Sequence, residues 1–307
     1  MTNLFRDLSA GFARFVYAWL VPSATVVAAF VFLVLPDLGG VPALEGVAGT
    51  GTLVATFGFF VLAVITLSVT FAYTSLPVYR LLEGYTLPRG LKARLLRRRL
   101  RAWHRLKARA ENLPDTHPDS GVLIEQLAAY PDTQDEILPT RLGNALRAME
   151  RYGVTRFGLD SQILWYELQA LALPSLRRDA EDARASVDFF IAAVVHYSVL
   201  GSVAGTVAIA SGGVGSALTA AGCLVVVPMS YRGAVRNVGE WRAAVQALVN
   251  LGRVTLPEAL GLRQETTFEA ERRMWETYAG VVVYGTEGFD LGYLNSRRTF
   301  PKPPTPR

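Results

Sequence analysis

The sequence predicts an all-α integral membrane protein with four transmembrane helices in two hairpins and a cytoplasmic helical domain formed by an insert and a C-terminal tail. Three long runs without Asp, Glu, Lys or Arg support this prediction: Phe15–Pro36, Gly46–Tyr79 and Phe189–Tyr231. A helix that crosses a membrane needs about 20 apolar residues. The first two runs are each long enough for one crossing, and the third is long enough for two with a turn between them.

These runs divide the chain into five segments. We expect an N-terminal segment with the first hairpin at 1–79, a cytoplasmic helical insert at 80–188, and the second hairpin at 189–231. A cytoplasmic helical tail follows at 232–299. The proline-rich end, 300–307, is predicted to be disordered.

Within the hairpins, the first span is expected at Phe15–Leu35 and the second at Thr52–Leu76. The third ends near Ile209, because the glycine-rich stretch Ser211–Gly215 is typical of a tight turn. The fourth is expected at Ser216–Tyr231, which is short for a span unless its helix starts inside the turn.

The distribution of basic residues predicts the orientation of the spans. The connectors 36–51 and 211–215 contain neither Lys nor Arg. The other ends of the spans carry Arg6, Arg14, Arg80, Arg89, Lys92, Arg94, Arg232 and Arg236. The positive-inside rule therefore places both termini and the insert in the cytoplasm. Four crossings also require both termini on one side.

The insert and tail both carry helical signals. Apolar residues recur at helical spacing through 89–113, and several residues are typical of helix starts. These starts are Pro139-Thr140, Asp160-Ser161, Pro174, which opens a charged helix running into the third span, and Thr266 with Glu269 as a capping box.

Four short segments carry a family resemblance: Glu83-Gly84-Tyr85, the LPTRLGN run 138–144, Gly158-Leu159-Asp160 with Leu164-Trp165, and the ERRMW run 271–275. In this order, around four spans, the chain resembles a group of uncharacterised bacterial, mainly actinobacterial, multi-pass membrane proteins. The resemblance implies a shared fold and a bacterial inner-membrane location. It implies no activity and no functional residues.

The basic segment 80–109, whose one acid is Glu83, is the strongest local signal. Each base near an anionic membrane surface contributes about 1 kcal/mol of binding. Because the segment directly follows a span, it favours phospholipid head groups over nucleic acid. The alternatives are an orientation signal with a solvated helix face, or binding of an anionic ligand or nucleic acid. The residues predicted to contact head groups are Arg89, Lys92, Arg94, Arg97, Arg98, Arg99 and Arg101.

Small residues suggest a packing face in the third span. Gly201 and Gly205 form a GxxxG pattern. Helices in lipid have no hydrophobic drive to associate, so close backbone approach stabilises their packing. The face would serve another span or a second subunit in a homo-oligomer, although such patterns also arise by chance in Gly/Ala-rich helices.

The sequence offers little catalytic chemistry. His196 is the one ionisable residue inside a span, and we expect it to bond to a backbone carbonyl or to a hydroxyl such as Ser198 or Thr206. With Cys223 as the single cysteine, there is no CxxC pair and no disulfide within the chain. We therefore expect no catalytic residue, no metal site and no cofactor.

Acidic residues of the insert gather at Asp132, Asp135 and Glu136, with Asp160 further along. Paired carboxylates can perform acid–base work or bind a divalent cation. No nucleophile, histidine cluster or glycine-rich loop accompanies them, so we interpret Asp160 as a cap. Arg141, Asn144 and Glu150 are expected to brace the insert.

The function that follows is a non-enzymatic membrane scaffold, which presents its cytoplasmic domain to a protein or lipid partner. The alternative is an oligomeric ion channel or pore, lined by the second and third spans and gated by the cytoplasmic domain. A lipid-modifying enzyme is a weaker third reading, because it would need clustered catalytic side chains near Arg80 or Asp188.

Overall fold

The computed structural model describes residues 11–39, 50–114 and 117–299. Its elements are helical, and the described residues contain no strand, only an isolated bridge between Leu262 and Arg298. The helices are α1 (Gly11–Leu38), α2 (Thr50–Glu83), α3 (Arg89–Glu111), α4 (Ser120–Ala128), α5 (Arg141–Phe157), α6 (Trp165–Leu171), α7 (Pro174–Ser211), α8 (Val214–Ala259), α9 (Phe268–Tyr284) and α10 (Leu291–Ser296). The predicted disordered end lies outside the described residues.

The chain forms two compact units. Unit 1 consists of the described parts of Met1–Leu81 together with Asp182–Val238. Unit 2 consists of the described parts of Leu82–Glu181 and Gly239–Arg307. The long helices α7 and α8 contribute residues to both units.

Four helices are long and apolar enough to cross a membrane: Gly11–Leu38, Val54–Glu83, Pro174–Ser211 and Val214–Ala259. All four satisfy the length that a bilayer demands. They fit a multi-pass α-helical membrane protein, as the apolar runs of the sequence predict.

The helix α1 is not a regular α-helix along its length. It contains π-helical turns at Val16–Leu20 and Phe30–Val34, and it ends in a 3₁₀ turn at Leu35–Leu38. Pro22 lies at the start of the intervening α-helical stretch, where a missing N–H is tolerated. Wide π turns in a helix often coincide with functional or packing constraints.

The two long helices α7 and α8 meet at a turn shorter than the sequence suggests. The expected turn covers Ser211–Gly215, but α7 runs through Ser211 and α8 already begins at Val214. Gly212 takes the left-handed conformation (φ +71°), which glycine adopts at no steric cost. The helix α8 continues without a break beyond the expected end of the fourth span at Tyr231, as far as Ala259.

Apolar side chains of three helices form the core of unit 1. Val26 and Val34 of α1, Leu200 and Val207 of α7, and Cys223 of α8 belong to one buried cluster. The helices α7 and α8 approach closely here, since a Cβ at Gly201 would lie 2.7 Å from the Cβ of Cys223. The core thus joins residues of the first and second predicted hairpins.

Within unit 1, the helix α2 packs on its neighbours through a few specific contacts. The Ser68 hydroxyl donates to the Trp19 carbonyl at 3.3 Å, and the Phe71 ring lies 5.4 Å from the indole of Trp19. At the end of α2, the Tyr79 hydroxyl donates to Asp188 Oδ1 at 2.5 Å. Much of its remaining surface is apolar and exposed, which suits contact with lipid.

A carboxylate joins the end of α1 to the start of α8. The backbone N–H of Ser216 donates to Asp37 Oδ2 at 2.7 Å. The first N–H groups of a helix have no partner within the helix, and its N-terminus carries partial positive charge. Asp37 therefore caps α8 from a distant part of the chain, and glycine at positions 213 and 215 leaves room for it.

Helix caps in unit 2 follow the sequence in part. Thr140 caps α5, since its hydroxyl accepts from the Gly143 N–H at 2.9 Å. The capping box predicted from Thr266 is wrong by one residue: Thr267 caps α9 and accepts from Ala270. Asp160 does not cap a helix, because it accepts the N–H groups of the next turn while α6 begins only at Trp165.

Two of the resemblance segments, EGY and LPTRLGN, pack against each other. Gly84, with φ +97°, lies directly against Pro139, where a side chain would clash. A Cβ at Gly143 would lie 2.5 Å from the carbonyl oxygen of Glu83. Asn144 is buried and closes the loop by accepting from the Leu138 N–H at 2.8 Å and donating to its carbonyl at 2.7 Å. Close packing and hydrogen bonding therefore explain why positions 84 and 143 are glycine and position 144 is asparagine.

The other two resemblance segments also meet. Gly158 ends α5 in the left-handed conformation, and a Cβ there would lie 2.6 Å from the Arg272 carbonyl oxygen. Arg253 of α8 pairs with Glu271 at 2.7 Å, and its guanidinium covers the Phe157 ring at 4.4 Å. Fully buried Met274 and Trp275 complete this part of the unit 2 core.

Candidate anion-binding groove

The helix α3 divides its residues between an apolar face and a basic face. Trp103 is buried, and Lys107 lies over its ring at 5.0 Å. Residues spaced by three or four along a helix share one face. Four arginines with this spacing, Arg94, Arg98, Arg101 and Arg105, therefore form a continuous stripe.

This stripe lines a groove of about 670 Å³ in unit 2, which we call the arginine groove. Its remaining walls come from Arg99 and aliphatic residues of α3, and from Arg141, the first residue of α5. The lining residues are Leu91, Arg94, Leu95, Arg98, Arg99, Arg101, Ala102, Arg105 and Arg141. Six are arginines, and no acid is among them.

The arginines of the groove have no carboxylate partner among the described residues. Arg101 Nε donates to the Arg97 carbonyl of its own helix at 3.3 Å, and Arg99 Nε is buried without a hydrogen bond. Elsewhere in unit 2 arginines do find carboxylates. Examples are Arg151 with Glu136, Arg253 with Glu271, Arg273 with Asp290 and Arg297 with Glu265.

Clustered guanidinium groups repel one another. Side chains four residues apart on a helix are about 6 Å apart, where two unit charges repel by about 0.7 kcal/mol in water and more at lower dielectric. Arg141 adds its charge at the N-terminus of α5, the positive end of that helix. An anion in the groove would relieve this repulsion and supply hydrogen-bond acceptors.

The sequence found part of this site. Of the predicted head-group contacts, Arg94, Arg98, Arg99 and Arg101 line the groove together, whereas Arg89, Lys92 and Arg97 do not. Arg105 and Arg141 were missed. The spacing of Arg105 from Arg98 could have revealed it.

Arg141 could not have been assigned in the same way, because only the tertiary fold brings α5 to α3. Its position in the LPTRLGN run was interpreted as a brace of the insert. Contact of these α3 residues with lipid head groups stays a prediction.

The predicted packing glycines differ in their surroundings. A Cβ at Gly201 would lie 2.7 Å from the Cβ of Cys223 in α8, closer than side-chain carbons normally approach. A Cβ at Gly205 would lie 4.0 Å from that of Ala220, an ordinary contact. Only Gly201 is therefore at a point where α7 and α8 leave no room for a methyl group.

The expected hydrogen bond of His196 is absent from the described residues. Both of its ring nitrogens are buried without a partner, and the ring meets the edge of Phe71 at 4.8 Å. The Ser198 hydroxyl donates to Val194 of its own helix, and Thr206 likewise bonds within α7. The predicted hydrogen bond is therefore not formed among the described residues.

His196 borders an apolar groove of about 840 Å³ in unit 1, between α1, α2 and α7. Its walls include Phe30, Phe60, Leu67 and Leu200. Such a lining suits a hydrocarbon chain.

The acids of the insert serve the fold. Glu136 pairs with Arg151 at 2.6 Å, and Asp132 lies 3.6 Å from Arg156. Among the residues that the structure describes, no group of three His, Cys, Asp or Glu side chains could hold a metal ion. These carboxylates are structural partners of arginines.

The described part of the chain thus combines four helices that could span a membrane with a basic groove in unit 2. Comparison of the chain with protein-family models, with curated proteins and with solved structures found no match.

Proposed function

We propose that the chain is a non-enzymatic scaffold of the bacterial inner membrane, with both termini and unit 2 in the cytoplasm. Unit 2 binds anionic lipid head groups and presents its helical surface to a protein partner. The observation that carries this proposal is the basic face of α3, whose groove arginines have no carboxylate partner in the described part of the chain.

Position along the chain supports a lipid partner. The apolar helix α2 ends at Glu83, and α3 begins at Arg89. A basic helix so close to a span remains within reach of the membrane surface. Anionic lipids attract such segments by about 1 kcal/mol per base. The lack of Lys and Arg in the connectors 36–51 and 211–215 supports a cytoplasmic unit 2.

Hydrogen exchange in lipid nanodiscs tests this function. The full chain is placed in phosphatidylcholine discs and in discs with added phosphatidylglycerol, and amide exchange of α3 is followed by mass spectrometry. We expect slower exchange in the anionic discs. Changing Arg89, Lys92 and Arg97 together to Gln should reduce the difference, since roughly 3 kcal/mol of attraction is lost.

A matched variant controls for net charge. Arg178, Arg263 and Arg298 also lie in unit 2, and their side chains form no ion pair in the described structure. Changing these three to Gln should preserve the lipid effect. Equal exchange of α3 in both kinds of disc would contradict the proposal, as would an equal loss in the two triple variants.

A further inference from the structure

We propose that the arginine groove is a binding site for a diphosphate ester, a molecule with two linked phosphates on an apolar or aromatic body. This inference deepens the proposed function, because it concerns the same helix, but it concerns a defined pocket and not the leaflet as a whole. The groove volume of about 670 Å³ is in the range of small-molecule sites.

The positive charge of the groove favours a ligand with two phosphates over a ligand with one. Six guanidinium groups line it and no acid does. A phospholipid diester carries a single charge and would leave most of them uncompensated. Guanidinium groups bind phosphate oxygens through paired N–H donors, so two linked phosphates can engage several arginines at once.

The basic stripe is longer than the phosphate groups of the proposed ligand. From Arg94 to Arg105 the helix rises by roughly 16 Å at 1.5 Å per residue. A diphosphate is much shorter than this distance, so its phosphates can contact only some of these arginines directly. Arg141 contributes from a second helix, at whose N-terminus partial positive charge also favours an anion.

The aliphatic walls indicate that the ligand is more than its phosphates. Leu91, Leu95 and Ala102 lie between the arginines and offer an apolar surface. Arg99 also lines the groove, and its Nε is buried without a hydrogen bond among the described residues. A prenyl diphosphate, from the membrane, and a nucleoside diphosphate, from solution, share this chemistry.

Calorimetric titration of the full chain in uncharged detergent tests the site without any lipid. Inorganic pyrophosphate is the first probe, and we expect it to bind at least tenfold tighter than sulfate. Changing Arg98 or Arg141 to Gln should each weaken pyrophosphate binding tenfold or more, since each removes charge-assisted hydrogen bonds. Changing Arg98 to Lys keeps the charge but should still weaken binding, because the paired donors are lost.

Changing Arg97 to Gln is the matched control, because Arg97 lies on the same helix but outside the groove lining. It should alter pyrophosphate binding less than twofold. Titration with a short prenyl diphosphate and with ADP then identifies the source of the ligand, and in either case pyrophosphate must compete.

If the affinity for pyrophosphate were no higher than that for sulfate, the proposal of a diphosphate site would be wrong. Equal weakening by the Arg97 and Arg98 changes would also overturn it. Either result would leave the hydrogen-exchange response to anionic lipid standing, so failure of the site and failure of the proposed scaffold function are distinguishable.

Discussion

Replacing Gly201 by alanine should loosen the contact between α7 and α8, whereas the same change at Gly205 should not. The added methyl at Gly201 would lie 2.7 Å from the Cβ of Cys223, which cannot rotate away. Overpacking of this kind costs about 1–3 kcal/mol. At Gly205 the methyl meets Ala220 at an ordinary 4.0 Å.

Both variants gain helix stability from the change of glycine to alanine, so the difference between their stabilities isolates the packing effect. Alanine stabilises a helix interior by about 0.5–1 kcal/mol relative to glycine. That gain applies at both positions of α7 and cancels in the comparison. The stability difference between the variants should therefore equal the overpacking cost alone.

The thiol of Cys223 provides the assay. It is the chain's one cysteine and is 5% exposed, so a thiol-reactive dye labels it only when the helices separate. In detergent, we expect the Gly201 variant to label about 5-fold to 150-fold faster than the Gly205 variant, since each 1.4 kcal/mol is tenfold. Equal labelling rates in the two variants would refute the reasoning.

The remaining predictions concern pH and topology. Burial raises the pKa of Glu150, and nearby Arg147 only partly opposes this. Its folded-state pKa is higher than its unfolded one, so stability falls as the pH rises above about 4.5. Changing Glu150 to Gln should raise the melting temperature at pH 7 but not at pH 4; a variant that melts lower at pH 7 would contradict this. Topology can be tested by cysteine labelling in a variant whose Cys223 is replaced by Ala. A cysteine at exposed Val214 should react with a membrane-impermeant reagent in intact cells, and a cysteine at exposed Tyr166 should react only after permeabilisation. The reverse pattern would contradict the proposed orientation.

Much of the architecture could be predicted because lipid imposes simple rules on sequence. The uncharged runs Phe15–Pro36 and Phe189–Tyr231 coincide with long helices, since every backbone group in a bilayer core must be bonded within its own segment. Thr140 as a cap and Pro174 as a helix start also followed from local chemistry. Each of these depends on neighbours within a few residues.

Boundaries and partners depended on distant residues and were predicted less well. The cap predicted at Thr266 falls on Thr267, and α8 begins at Val214, inside the turn expected at Ser211–Gly215. The hydrogen bond expected for His196 is not formed among the described residues, where its ring packs against Phe71 instead. Local sequence patterns show which side chains can form hydrogen bonds, but not which partners the fold brings within reach.

The amino-acid order alone determined that this chain is helical, that four of its helices can lie in lipid, and that α3 is basic, because hydropathy and charge act locally along the backbone. Only the tertiary structure decided that Asp37 caps α8 and that Gly201 is pressed against Cys223. It likewise brought Arg141 beside the stripe of α3 and so turned a charged helix face into a groove. Contacts between distant segments depend on how helices pack, and packing is a property of shapes that no single stretch of sequence contains.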